Sequence, residues 1–264
     1  MNVRQPRGGA KAKSGCSAAW LRRVATGGRL HSVNPNVTYI YLHNRVPALT
    51  YRFTVEQFQR LADAGILTRG ESAELIDGQV VADAVPRRFT TMEYMRMGET
   101  GILQEDERVE LLDGEIILMS PIGYRHAATV NHLTKLFVSR AKDRYIVSIQ
   151  NPIDLPGNFQ PQPDVVLVKP DFVGEDHHPH PAEIFLLIEV ADSSLGLDQH
   201  TKLPQYAEAE VAEFWIVNLT KDEIEIYRRP AFDHYEERLT ARRGETVSCA
   251  AFPELKIPVN KILP

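Results

Sequence analysis

The chain has 264 residues, a length that suits one large domain or one domain with appendages. Its hydrophobic content of 43% and charged content of 25% are ordinary for a globular protein, and no apolar run approaches about 20 residues, so no membrane span is expected. Cys16 and Cys249 are the only cysteines, which excludes a zinc cluster and a disulfide framework and fits a reducing cytoplasm.

The first 50 residues differ in charge from the rest of the chain. They contain eight of the 30 basic residues and none of the 35 acidic residues, so the net charge of -5 conceals an acidic body. Because residues 1–50 lack a continuous apolar core, they do not form a convincing secretory signal. A basic arm could contact phosphate, but we expect residues 1–50 to be a basic, disordered leader.

An internal repeat follows this leader. Residues 52–81 align without gaps to residues 88–117 at an offset of 36 residues, and Arg-Phe-Thr, Gly-Ile-Leu and Glu-x-x-Glu-Leu-x-Asp-Gly recur in register. Two copies are too few for a solenoid, so the pattern indicates a local duplication. We therefore expect the first copy at 51–87 and a larger domain at 88–264 that includes the second copy.

Each copy of the repeat predicts an N-capped helix followed by a tight turn between strands. Thr54 and Thr90 precede the two helical stretches and are suitable N-caps. Asp77-Gly78 and Asp113-Gly114 are typical of the two-residue turns of β-hairpins.

The elements after the repeat are predicted from apolar periodicity and turn residues. They are a helix at about 126–141, strands at 145–149, 165–168, 184–190, 214–217 and 224–227, a short helix near 202–209, and a tail at 247–263 that could add a strand. This order predicts an α/β fold in which helices flank a mixed β-sheet, with the duplicated helix-strand unit in front.

The most informative residue is Glu189, because it lies inside the apolar run 184–190. An ionised carboxylate in a strand buried on both faces costs several kcal/mol unless something compensates its charge. The run 165–168 is headed by Pro163-Asp164, and antiparallel pairing of the two runs would bring Asp164 beside Glu189. Two converging acids need a cation, and a site made only of oxygen ligands suits magnesium or manganese.

The residues around these two acids resemble a nuclease family. The resemblance is carried, in order, by Glu110 to Ile117, Met119-Ser120-Pro121, His126, Pro163-Asp164, Glu189-Val190-Ala191-Asp192-Ser193, Asp198, Lys202, Tyr206 and Glu213-Phe214-Trp215-Ile216-Val217. This set looks like the PD-(D/E)XK nuclease superfamily and, more narrowly, the bacterial Uma-two family of putative restriction endonucleases. The resemblance covers roughly residues 89–230.

The resemblance implies a restriction-endonuclease-like core and a metal-dependent phosphodiesterase that acts on DNA, and the low cysteine content predicts a cytoplasmic location. Asp164 and Glu189 would hold Mg²⁺ or Mn²⁺, which would polarise a phosphate oxygen and activate a water, and Glu110 would belong to the same catalytic set. The superfamily pattern has a lysine two residues after the second acid, where this chain has Ala191. Lys202 matches the lysine that the Uma-two pattern places on the following helix. A homodimer is a further expectation.

Each candidate residue also has a purely structural interpretation. Asp164 could cap a turn, and Glu189 could form a buried ion pair with Lys202 without binding a metal. Asp198 and Lys202 have the i, i+4 spacing of a helical salt bridge, although Pro204 suggests that the helix begins near 203 and leaves Asp198 in a loop.

Three further candidates also have ordinary structural roles. Tyr206 could be a packing residue, Glu110 an exposed glutamate at a helix end, and His126 a helix-start residue without a chemical role.

A histidine cluster in the polar loop 169–183 is the other possible metal site. His177, His178 and His180 could bind a transition metal, but the loop lacks cysteine partners, and we favour a solvated loop. Neither a Gly-x-Ser-x-Gly elbow nor a P-loop is present, which argues against those hydrolase and NTPase classes.

The leading prediction is a magnesium-dependent endonuclease that cleaves DNA. The alternative is a catalytically weak or inactive module of the same fold that binds nucleic acid or a protein partner. Ala191, the acidic body and the duplicated front end favour this alternative. A transposon-type or toxin-type nuclease, whose partner supplies the affinity for DNA, is a third interpretation.

Overall fold

The computed structural model describes residues 39–40, 48–68, 70–172 and 176–264. Most of the predicted disordered leader therefore lies outside the described residues. Its described parts are two short strands, β1 (Tyr39–Ile40) and β2 (Ala48–Thr50). No helix in the described ranges is long and apolar enough to cross a membrane.

The two copies of the repeat fold alike. Their helices are α1 (Val55–Asp63) and α2 (Thr91–Glu99), and each begins with a capping box. The hydroxyl of Thr54 accepts from the Gln57 backbone N–H, and the Gln57 side chain accepts from the Thr54 backbone N–H. Thr90 and Glu93 make the same two bonds, so both predicted caps are confirmed.

A hairpin follows each helix of the repeat. The hairpins are β3 (Ala73–Ile76) with β4 (Gln79–Ala82), and β6 (Val109–Leu112) with β7 (Glu115–Leu118). Asp77 and Gly78 have φ values of 49° and 78°, and Asp113 and Gly114 have 53° and 74°. Positive φ at both turn residues is the geometry that Asp-Gly favours in tight hairpins, so the predicted turns are confirmed.

A short strand precedes each helix of the repeat and pairs with the hairpin that follows the other helix. β2, in front of the first helix, pairs with β7 of the second copy through Thr50 and Ile117. β5 (Val85–Pro86), in front of the second helix, pairs with β4 of the first copy through Pro86 and Val81. These are the same two repeat positions in both cases, so the copies contact each other reciprocally. Apolar side chains of both copies then share one core.

The rest of the described chain is built around a six-stranded mixed sheet in the order β13-β12-β11-β10-β9-β8. Its strands are β8 (Ile146–Ile149), β9 (Val165–Val168), β10 (Ile184–Ala191), β11 (Glu213–Asn218), β12 (Glu223–Ala231) and β13 (His234–Arg242). Only β10 and β11 are parallel, and the other neighbours within this described sheet are antiparallel. β9 and β11 are buried throughout, in keeping with the continuous apolar runs of β9 and of residues 214–217 in β11.

Helices cover both faces of this sheet. α3 (Tyr124–Val138) packs on one face through Val130, Leu133 and Phe137. A helical segment packs on the other face and consists of α4 (Leu195–Leu197), a π-helical turn (Asp198–Lys202) and α5 (Leu203–Glu208). The predicted α/β class, with helices on both sides of a mixed sheet, is confirmed.

Short elements complete the described chain. They are the 3₁₀ turns Pro170–Phe172, Pro181–Glu183 and Val259–Lys261, and the strands β14 (Thr246–Val247) and β15 (Ile257–Pro258), which form a small hairpin in the tail.

The prediction that Asp198 lies in a loop was wrong. Pro204 occupies the first turn of α5, where a missing N–H is tolerated, and the chain before it is already helical. The Leu203 N–H donates to the Asp198 carbonyl, a bond across five residues that defines the π-helical turn. Asp198 therefore begins this turn.

Candidate active site

A cleft of about 250 Å³ opens where the second copy of the repeat meets the six-stranded sheet. The hairpin β6–β7, the start of α3, the ends of β9 and β10, and the π-helical turn all contribute to its walls. All four residues predicted to be catalytic line this cleft, and they are Glu110, Asp164, Glu189 and Lys202. His126, Asp192 and Asp198 also line it.

Asp164 is placed by the antiparallel pairing of β9 with β10, in which Val165 lies opposite Ile188. Its Oδ2 accepts from the Val190 backbone N–H at 2.9 Å, and its Oδ1 accepts from the Gln150 side chain at 3.1 Å. The Asp164 carboxylate thus links the end of β10 to the residue that follows β8. The predicted antiparallel pairing of the two apolar runs is confirmed.

His126 joins α3 to this carboxylate. It lies in the first turn of α3, and its Nε2 is 3.0 Å from Asp164 Oδ2. The other ring nitrogen, Nδ1, is buried and has no hydrogen-bond partner among the described residues. The residue is therefore more than a helix start, because it contacts a candidate metal ligand directly.

Lys202 bridges two buried glutamates. Its side chain is almost fully buried, and Nζ lies 2.9 Å from Glu110 Oε1 and 3.0 Å from Glu189 Oε1. The Tyr206 hydroxyl, one turn further along, donates to Glu189 Oε1 at 2.9 Å. The buried ion pair between Lys202 and Glu189 is therefore present, and Tyr206 has a polar contact besides its packing role.

Glu110 lies in strand β6 and is 2% exposed, so the interpretation as an exposed helix-end residue was wrong. Its Oε1 also accepts from the Gln162 backbone N–H at 2.8 Å. Gln162 contributes a second contact through its side chain, which donates to the Val109 carbonyl at 3.1 Å. Sequence reasoning missed Gln162, although its position directly before Pro163-Asp164 was an available signal.

Asp198 is buried at the edge of the same cleft and accepts from the Ser194 hydroxyl at 2.8 Å. The salt bridges that Lys202 forms within the described ranges go to the two glutamates. A helical salt bridge between Asp198 and Lys202 therefore does not explain how the lysine is held.

Negative charge exceeds positive charge among the buried side chains that line the cleft in the described part of the chain, which carry four carboxylates and one ammonium. Burial raises the pKa of Glu189 well above its ordinary value, Lys202 opposes the rise, and the neighbouring acids add to it. Burial raises the pKa of Asp198 to about 6, against the opposing effect of Lys202. Burial alone would lower the pKa of Lys202, but the attraction of Glu110 and Glu189 outweighs it and raises that pKa.

The chemistry of these side chains fits a hard divalent cation. Carboxylate oxygens are the ligands that Mg²⁺ and Mn²⁺ prefer, and a cation would compensate the charge that burial penalises. Within the described ranges, no group of three histidine, cysteine or acidic side chains could hold an ion by itself. Mg²⁺ usually keeps several waters and takes only one or two carboxylates from a protein.

The histidine cluster lies apart from this cleft. The rings of His177 and His180 stack with centroids 4.6 Å apart, and His177 Nδ1 lies 2.9 Å from the His178 carbonyl. None of these histidines belongs to a group that could hold a metal among the described residues.

Comparison with known proteins agrees with this architecture. The model of the Uma2 family, described as "Putative restriction endonuclease", matches residues 91–260. Comparison with curated proteins gives no match. The crystal structure of a putative nuclease belonging to DUF820 from Anabaena variabilis is similar, with a TM-score of 0.55 and 13% sequence identity, and the alignment covers 66% of this chain and 97% of that chain.

At 13% identity, the similarity to the solved structure establishes the fold alone. The fold and the family description together support a nuclease, and the family suggests DNA as its substrate. Because the family model matches well over half of the residues, the chain belongs to the Uma2 family, as the sequence resemblance predicted.

Proposed function

We propose that the protein is a divalent-metal-dependent endonuclease that hydrolyses phosphodiester bonds in DNA. The observation that supports this function is the convergence of Glu110, Asp164, Glu189 and Lys202 in one cleft. These residues come from separate elements, and the fold brings together the two acids and the lysine that such chemistry uses.

Asp164 and Glu189 are the residues that would hold Mg²⁺ or Mn²⁺. When bound, the ion would supply polarisation of a phosphate oxygen and a lowered pKa for a bound water. Among the described residues, the hydrogen bonds from Lys202 and Tyr206 both go to Glu189 Oε1, so Oε2 is left for another ligand. Glu110 would contribute at the side of the site next to Lys202.

Lys202 would stabilise negative charge on the phosphate in the transition state. Its raised pKa keeps the ammonium protonated at neutral pH, so it would act as a fixed positive charge and not as a general base. Ala191 follows Glu189 by two residues, where the superfamily has its lysine. Lys202 Nζ, 3.0 Å from Glu189, brings an ammonium to the second acid by a different route.

The direct test is cleavage of supercoiled plasmid DNA by the purified full chain in Mn²⁺ or Mg²⁺, with chelator as the blank. We expect nicked and linear products in the presence of metal, and none for Asp164→Ala. Products formed equally by Asp164→Ala would assign the activity to a contaminant or to another site. A wild-type protein that does not cleave DNA with either metal would refute the proposal.

One observation favours a second candidate function. Glu110 and Glu189 already compensate the charge of Lys202 without a metal, which is also how a purely structural ion triad would be built. In that case the protein would be a binding module for nucleic acid or protein. Calorimetric titration with Mn²⁺ separates the two, because the nuclease should lose its metal binding in Asp164→Asn, and the module has no metal binding to lose.

A further inference from the structure

The π-helical turn that carries Lys202 is the starting point for a further inference. π-helical turns are rare and occur often at functional sites, because their backbone geometry is less favourable than that of an α-helix. This turn spans Asp198–Lys202. Side-chain contacts to the sheet must therefore hold it in place.

Glu225 provides such a contact from strand β12. It is fully buried, and both carboxylate oxygens accept from the Gln199 side-chain amide, at 2.9 and 3.0 Å. Asn218, Tyr227 and Arg238 also donate to it. Despite burial, these donors keep the pKa of Glu225 below its ordinary value, so the carboxylate is ionised at neutral pH.

Glu225 and Glu189 belong to one row of the sheet. Glu189 on β10 lies opposite Ile216 on β11, and Ile216 lies opposite Glu225 on β12. Residues paired in this way point to the same face, which here is the face covered by the π-helical turn. The sheet therefore contacts the turn at two points, because Glu225 accepts a hydrogen bond from Gln199 and Glu189 accepts one from Lys202.

We infer that Gln199 and Glu225 are positioning residues for Lys202. This inference rests on the proposed function, because it assigns Lys202 a role in catalysis. Gln199 and Glu225 are not among the residues that line the cleft, so they do not reach a substrate bound there. They act by fixing the turn, and the turn sets where the ammonium lies between Glu110 and Glu189.

The test begins with Gln199→Met, which keeps the side-chain length and removes the amide donor. We expect kcat for DNA cleavage to fall about 10-fold, the smaller effect that residues supporting a ligand give. KM and the Kd for Mn²⁺ should stay within about two-fold of wild type, because no residue of the cleft has changed. Gln199→Lys, which keeps a donor facing Glu225, should recover most of the lost kcat.

Arg238→Met is the matched control. Arg238 also donates to Glu225, at 2.8 Å, but it comes from β13 and is 58% exposed, so its removal does not detach the turn. We expect wild-type kcat from this variant. A double-mutant cycle adds a second check, since Gln199→Met should have no further effect in a Lys202→Met background.

A measurement that does not depend on activity keeps the inference separate from the proposed function. Lys202 is 4% exposed, and its acetylation by acetic anhydride, followed by peptide mass spectrometry, should be faster in Gln199→Met than in wild type or Arg238→Met. If Lys202 is acetylated faster in Gln199→Met while the wild-type protein cleaves no DNA, the positioning role is supported and the nuclease proposal is refuted. Unchanged labelling and unchanged kcat in Gln199→Met would overturn the inference while the nuclease proposal stands. Equal losses in Arg238→Met would also overturn it, because Glu225 would then serve general stability.

Discussion

The two copies of the repeat have the same local structure and different surroundings. Glu74 and Glu110 occupy equivalent positions, each in the first strand of a hairpin closed by Asp-Gly. Glu74 is exposed, whereas Glu110 is buried against Lys202 and the backbone of Gln162. The difference arises from what packs on each hairpin and not from the hairpin sequence.

The chain that follows the second copy makes this difference. Gln160 forms two backbone hydrogen bonds with Leu111, of 2.8 and 3.4 Å. The segment before β9 is therefore held beside strand β6. That segment continues into Asp164 and β9, which pairs with β10. A hairpin of ordinary composition thereby becomes one wall of an acidic cleft.

The largest effect should come from the two acids that line the cleft beside the second copy. Asp164→Asn and Glu189→Gln should each reduce metal-dependent cleavage to background, because each removes a charge that would hold the ion. The fold should survive, since neutral amides relieve the repulsion among buried carboxylates and Lys202 keeps Glu110 as its partner. Plasmid cleavage and thermal unfolding of the same samples check both parts, and wild-type cleavage by either variant would show that the site is wrongly assigned.

Removing the lysine that joins the second copy to the sheet should have the next largest effect. Lys202→Met should lower kcat by about 10²-fold, as loss of a charge-stabilising group does. Metal affinity should not weaken, because the variant leaves more negative charge around the ion. Single-turnover rates and Mn²⁺ titration measure the two quantities. Full activity of Lys202→Met would show that Lys202 is only a structural ion-pair partner.

Much of this comparison could be predicted from sequence, because it depends on local signals. The capping boxes at Thr54 and Thr90 and the Asp-Gly turns follow from short motifs. The approach of Asp164 to Glu189 follows from two apolar runs and the geometry of antiparallel pairing.

The features that sequence analysis missed are set by non-local packing. The pairing of β2 with β7 joins strands that are far apart in the chain, so no single segment encodes it. The burial of Glu110 could not be read locally, since Glu74 has nearly the same neighbours in sequence and is exposed. The π-helical turn at Asp198 depends on the sheet beneath it. Pro204 indicated that α5 begins near residue 203, but it gave no sign that the chain before it is also helical.

Glu74 and Glu110, which occupy equivalent positions in the two copies, test the comparison directly. Glu110→Ala should weaken cleavage about 10-fold, because it removes one partner of Lys202 and one acid from the cleft. Glu74→Ala should leave cleavage and metal affinity unchanged, because the same position in the first copy faces solvent. Initial cleavage rates at saturating Mn²⁺ provide the measurement. If both variants lost the same share of the cleavage rate, both glutamates would be structural. If neither variant changed the rate, Asp164 and Glu189 would be the whole acidic site.

The smallest effects on DNA cleavage should come from two equivalent contacts in the repeat, one made by Tyr51 and the other by Arg87. The Tyr51 hydroxyl donates to Glu107 at 2.6 Å. Arg87, which aligns with Tyr51 in the repeat, pairs with Glu71, which aligns with Glu107. One contact is a hydrogen bond to a carboxylate and the other a half-buried ion pair that also includes Glu93.

Tyr51→Phe should therefore cost about 2 kcal/mol of unfolding free energy, because its hydroxyl donates to a carboxylate and also accepts from the Gln57 side chain. Arg87→Met should cost more, because it leaves Glu71 and Glu93 close together without their cation. Neither residue lines the acidic cleft, so kcat should stay at the wild-type value in both variants. Urea unfolding at pH 7 gives the two free energies. If Tyr51→Phe instead lowered kcat without changing stability, the first copy would be part of the catalytic apparatus, and the separation between the two copies would fail.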